Sequence, residues 1–162
     1  MSSRSREEIQ EDFDVLGTAV SRVVGHAFDA LTTPERLALL ERLERETRRP
    51  RAPGHELINQ VAEQAGPDEL GGPLPQALAD RLRINRGEAR RRVAEAADLG
   101  PRRALTGEVL PPLLTATSVD QRAGSVDPAH VAVGQQTTHR QRPSGCPAKC
   151  PAHRPTSSGP LD

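Results

Sequence analysis

Apolar residues recur along the start of the chain in steps of three and four: Ile9, Phe13, Leu16, Val20, Val23, Val24, Ala27, Phe28 and Leu31. That spacing draws one stripe along a helix and predicts a long helix over residues 6–31. Gly17 and Gly25 fall inside it and weaken it by about 1 kcal/mol each relative to Ala. The segment Leu31-Thr32-Thr33-Pro34-Glu35 ends it and starts the next helix. Either Thr33 caps that helix with Pro34 in its first position, or Thr32 and Glu35 form a capping box. Leu37, Leu39, Leu40 and Leu43 mark the second helix, which closes on Thr47-Arg48-Arg49-Pro50, where arginines complement the helix dipole. Pro50 to Gly54 reads as a break, and Leu57, Ile58, Val61, Ala62 and Ala65 predict a third helix.

Gly66-Pro67-Asp68 and Gly71-Gly72-Pro73 mark a loop with room for one helical turn. Residues 77–99, ALADRLRINRGEARRRVAEAADL, then read as two short helices around a tight turn, stopped by Gly100-Pro101. After a loop containing Gly107, Pro111-Pro112 opens a helical stretch through Leu113, Leu114 and Val119. Asp127-Pro128 signals one more helix start, with Val131 and Val133 beyond it. No strand-like alternation occurs, so the expected fold class is all-α: a multi-helix domain over residues 6–133, incomplete at its end. From Gly134 onward the composition changes abruptly to 29 residues with five prolines and one large aliphatic, Leu161. Such a segment buries too little apolar surface to offset the entropy of ordering, and it reads as a disordered, frame-shifted tail.

The hairpin at 77–99 carries the candidate chemistry. Leu78, Leu82 and Ile84 supply an inner face, Ala79 is small where a second helix would cross, and Ala89 and Val93 anchor that helix. Asn85 is placed to cap it, with Glu88 completing a capping box. This is the skeleton of a helix-turn-helix, whose second helix enters a DNA major groove. Arg83, Arg86, Arg90, Arg91 and Arg92 are the candidate DNA-binding residues. Arg83 stands where such turns favour Gly, because the backbone there is left-handed. Between Ala77 and Ala104 eight arginines face four acids, a local excess in a chain whose formal net charge is zero. An ordinary helical hairpin with a solvated charged face, Arg91 pairing Glu95 four residues on, fits the same residues.

Composition narrows the field. With no global field toward nucleic acid or membrane, any basic site is local. Phe13 and Phe28 are the only aromatics, so a core must be built of Leu, Val, Ile and Ala. No run of 18 apolar residues exists and the acidic start is no signal peptide, so a cytoplasmic protein is expected.

The runs LTTPERLALLERLE (31–44), GHELINQVAEQA (54–65) and ELGGPLPQALADRLRINRGEARRRVAEAADLGPRRALTGEVLPPLL (69–114) resemble the 13E12 repeat family of actinobacteria, prominent in mycobacteria. The N-terminal helical part of that family is classed as domain of unknown function 222. The resemblance covers residues 12–133. It implies relatives that continue into a C-terminal HNH nuclease module and belong to repeated or mobile elements. Here the resemblance ends after Val133, where the composition also breaks, and no HNH site follows. Only His139 and His153 lie downstream, without the ββα frame such a site needs. The expectation is a non-catalytic, truncated family protein that contacts DNA through residues 77–104. The alternatives are a self-association module, a partner for a separately encoded nuclease part, or an inactive fragment.

Other candidate chemistry is thin. Cys146, Cys150, His153 and His139 could in principle surround zinc, but the spacing is loose and prolines replace a folded frame. His26 and His55 have no nucleophile or paired acid at a useful spacing and read as solvated or satisfied side chains. No glycine loop for phosphate is present, and no cofactor, metal or small-molecule substrate is expected.

Overall fold

The computed structural model describes residues 4–104 and 106–127. Helix α1 spans Arg6–Val24. Ser5 caps it: the Ser5 hydroxyl accepts from the Glu8 amide at 3.1 Å, and the Glu8 carboxylate takes the Ser5 amide at 2.8 Å. Ser5 and Glu8 of the acidic first turn thus complete a capping box. α1 ends at Gly25, earlier than the apolar stripe predicts, and residues 25–32 form turns. Ala27, Phe28 and Leu31 keep the helical spacing without the helix. Arg36 reaches back from the next helix and donates to the Phe28 and Asp29 carbonyls at 3.3 and 3.2 Å, fixing that turn.

Helix α2 spans Thr33–Arg48. Of the two caps the sequence allows, Thr32 is the one used: its amide and hydroxyl both donate to the Glu35 carboxylate, at 2.7 and 2.6 Å. Helix α3 spans Arg51–Gln64, so the break expected at residues 50–54 shrinks to a joint at Arg49-Pro50. Pro53 falls in the first turn, where the backbone owes no intrahelical hydrogen bond, and so does not interrupt it. Helix α4, Pro67–Leu70, is the single turn expected between Gly66 and Gly71-Gly72.

Helices α5 (Leu74–Leu82) and α6 (Arg86–Leu99) form the hairpin. A two-residue strand β1, Arg102–Arg103, then pairs antiparallel with β2, Val109–Leu110, with Arg102 opposite Leu110 and Arg103 opposite Val109. The sequence gives a plain loop here, because two residues are too few to show alternation. Helix α7, Thr115–Ala123, starts after rather than at Pro111-Pro112. The Leu114 amide donates to the Asp98 carbonyl at 3.0 Å, tying the entry of α7 to α6. The helix expected from Pro128 on, the tail 134–162, and the Cys146, Cys150, His139 and His153 set lie outside the described residues.

The fold is all-α apart from this small hairpin. α3 lies along α6, α5 crosses α6, and α7 closes the group against α3, α6 and the end of α2. The buried apolar residues are Ala79, Ala89, Ala96 and Leu99, while His55, Glu95, Ser118 and Gln121 are buried polar ones. Alanines at helix crossings let backbones approach closely. α1 buries none of its residues and lies apart from this group. Among the described residues no helix is long and apolar enough to cross a membrane, and no group of His, Cys, Asp and Glu is placed to hold a metal ion.

Candidate nucleic-acid interface

The α5–α6 turn is built from three residues. Arg83 adopts φ 53° and ψ 44°, the left-handed conformation, and is the only non-glycine residue with positive φ among those described. Its amide and that of Ile84 both donate to the Ala79 carbonyl, the Ile84 bond being the six-to-one bond of a Schellman-type helix stop. The same stop ends α4 at Gly71 and α7 at Gly124, so glycine fills the position twice and arginine once. Asn85 then caps α6, its Oδ1 accepting from the Glu88 amide at 2.8 Å. The expected capping box is only half made, because the Glu88 carboxylate turns away from the Asn85 amide to bind arginines.

Those bonds divide the five candidate arginines. One Glu88 carboxylate oxygen accepts from Arg91 at 2.6 and 2.9 Å, and the other accepts from Arg92 at 2.8 Å. Arg91 also donates to Glu95 at 3.1 Å, the i to i+4 pair legible in the sequence. Arg91 and Arg92 are half-buried and held by these bonds. Arg83, Arg86 and Arg90 are exposed, and none forms an ion pair among the described residues. Along α6 the exposed positions are Arg86, Gly87, Arg90, Ala94 and Ala97, all within one arc of the helix. Its outward face is therefore two guanidiniums at the N-terminal end and a smooth ridge of small residues behind them.

The inward side of α6 is polar and rigidly held. Glu95 is fully buried, with Oε1 on Arg91 and Oε2 3.5 Å from the Arg51 guanidinium, the latter oxygen accepting no hydrogen bond. Burial pushes its pKa above the usual carboxylate range, against the opposing pull of Arg91 and Arg51. Burial also raises Glu88, but the hydrogen bonds from Arg92 and Arg91 outweigh it and leave that carboxyl below its ordinary value. His55 of α3 meets Gln121 of α7 through Nε2 and Oε1 at 2.9 Å, and burial lowers its pKa despite that bond. Asn59, one turn along α3, donates to the Ala96 and Pro101 carbonyls at 2.8 and 3.2 Å, clamping the C-terminal end of α6. Arg103 of the small hairpin lies 3.7 Å from Glu63 of α3 and is engaged there. His26 is exposed.

Sequence reasoning missed the clamp. Asn59 and Gln121 give no signal in one dimension, since each acts on a residue at least 37 positions away. Glu95 is visible only as the partner of Arg91, and nothing local marks it as buried.

Known proteins place the chain. The family model described as "Domain of unknown function (DUF222)" matches residues 37–144. "Uncharacterized protein MT1160" of Mycobacterium tuberculosis (strain CDC 1551 / Oshkosh) is 62% identical over 136 residues, 84% of this chain and 32% of the relative. "Uncharacterized protein Rv1128c" of Mycobacterium tuberculosis (strain ATCC 25618 / H37Rv) is 62% identical over 136 residues, 30% of its own length. "Uncharacterized protein Rv3466" of the same strain is 58% identical over 133 residues, 82% of this chain and 60% of the relative. The chain spans about a third of the length of the first two relatives. No solved structure matches. With the family model covering most of the helical group, α2 through α7 and beyond, the chain belongs to the DUF222 family.

Proposed function

We propose that this is a non-catalytic helical domain that contacts double-stranded DNA through the α5–α6 hairpin, with the N-terminal half of α6 in the major groove. The observation that carries the reading is the division of the arginines. Arg83 in the turn and Arg86 and Arg90 on the outward arc of α6 stand exposed, while Arg91 and Arg92 are neutralised by Glu88 and Glu95 and orient the helix. The free guanidiniums sit at the positive end of the α6 dipole, where phosphate oxygens are attracted. Gly87 between Arg86 and Arg90, and Ala94 and Ala97 behind them, leave no bulky side chain to hold the helix off a groove floor. Arg83 adds weight: a left-handed arginine costs about 1 kcal/mol or more relative to glycine, and glycine fills the equivalent place at the other two stops. A cation kept at a strained position points to a task for the cation. No catalytic role is proposed; the one buried histidine among the described residues, His55, is spent on Gln121.

The test is fluorescence anisotropy on mixed-sequence duplex DNA at several salt concentrations. The native chain is expected to bind with a salt-dependent affinity, and replacing Arg83, Arg86 and Arg90 by Ala should cut the log–log salt slope by about 2–3. Replacing Arg45, which pairs with Glu41 on exposed α2, should leave it unchanged. Equal binding by the triple variant, or no binding at low salt, overturns the proposal.

A further inference from the structure

Helix α1 carries the other unexplained feature. Ile9, Phe13, Leu16, Val20 and Val23 lie on one line of the helix, each between 44% and 55% exposed, and α1 makes no extensive contact with α2 to α7. Their steps are four, three, four and three, the spacing of a seam between two helices rather than of a broad core face. From Ile9 to Val23 the line runs about 21 Å. Gly17 and Ala19 flank its middle, and a methyl group placed on Gly17 would meet nothing.

From this geometry we infer that α1 is the interface of a homodimer, pairing antiparallel with α1 of a second copy. Charge selects both the partner and the direction. All five acids of the helix, Glu7, Glu8, Glu11, Asp12 and Asp14, lie in its first nine residues, and the remainder carries Arg22 and no acid. Two parallel helices would set ten carboxylates against one another, offset only by Arg4, which pairs with Asp12, and Arg6 of each copy. Two antiparallel helices place each acidic end beside the partner's Arg22, and oppose their dipoles favourably. The surface is self-complementary in one orientation only. Residues 128–162 offer Val131, Val133 and Leu161 as their large aliphatic side chains, too few to match a five-residue line. One short seam places the dimer at the weak end of specific interfaces, with a Kd on the order of 10 µM. None of this depends on DNA contact.

Sedimentation velocity of the full chain, without DNA, at about 1–200 µM tests it. A reversible monomer–dimer equilibrium is expected, and Leu16→Glu should raise its Kd at least tenfold. Because that variant could unravel α1, orientation is read separately in chains with Cys146→Ser and Cys150→Ser. An Ile9→Cys chain mixed with a Val23→Cys chain under mild oxidation should give mainly the mixed disulfide. A strict monomer across the range, a dimer indifferent to Leu16→Glu, or mainly like-with-like disulfides would each overturn the inference. Capture of α1 by a different protein while the pure chain stays monomeric does so too.

Discussion

Gly124 offers a direct measure of how the fold closes. It stops α7 with φ +73°, and a Cβ there would stand 2.4 Å from the Arg45 carbonyl oxygen and 2.9 Å from Arg45 Cγ on α2. Gly71 stops α4 with nearly the same backbone, φ +70°, but a Cβ there would meet nothing within 4 Å. Alanine at either position pays the left-handed strain, partly returned by a stiffer unfolded chain, for a net cost of about 1 kcal/mol. Gly124→Ala adds contact with helix backbone, which cannot rotate away. α2 must retreat from α7, at a further cost of about 1–3 kcal/mol. In a domain of this size Gly71→Ala should lower Tm by about 3–6 °C, and Gly124→Ala by roughly twice that or more. Urea melts followed by circular dichroism give the two free-energy costs on one scale, and thermal melts give the Tm shifts. If the two variants agree within about 0.5 kcal/mol, α2 does not rest on the α7 stop and the packing described here is wrong.

Three further outcomes follow from the same contacts. His55 has a lowered pKa when folded, so the unfolded chain takes up its proton first; stability should be full above about pH 6.5 and fall as pH drops through the window below it. Urea midpoints at several pH values should lose that slope in His55→Leu. Glu95 has a raised folded pKa, so its contribution has the opposite sign, full below about pH 4.3 and lost as pH rises through the folded value. Glu95→Gln should therefore cost less than about 1 kcal/mol at neutral pH, whereas Glu95→Ala, which empties a buried site and takes from Arg51 and one Arg91 N–H their acceptor, should cost about 3 kcal/mol; equal effects would refute the reading. Arg83→Gly should raise Tm by a few degrees, reflecting about 0.5–1 kcal/mol of relieved strain, and should weaken DNA binding at the same time.

The parts of the fold that one dimension shows are those decided locally. Asn85 caps α6, Thr32 and Glu35 cap α2, and Ala79 and Ala89 sit where two helices cross, each as its neighbours in sequence suggest. The stripe in α1 reads correctly as helix but overruns Gly25, because a turn can keep the spacing of Ala27, Phe28 and Leu31. Pro53 and Gly54 read as a break because their cost depends on position, and in a first turn it vanishes. The Glu88 side chain had two uses open to it, the Asn85 amide or the arginines at i+3 and i+4. Three guanidinium bonds outweigh one amide, a competition that spacing alone does not settle. The polar clamp of Asn59, His55 and Gln121 joins α3 to chain as far as 66 residues away, so only the folded geometry shows it.

The alanine-lined, half-polar interior has a thermal consequence. Ala79, Ala89, Ala96 and Leu99 remove little hydrocarbon from water, and His55, Glu95, Ser118 and Gln121 add polar surface whose hydration works in the opposite sense on the heat capacity of unfolding. The stability curve of this domain is accordingly a broad, low arch: it loses little on cooling, and its melt on warming is gradual.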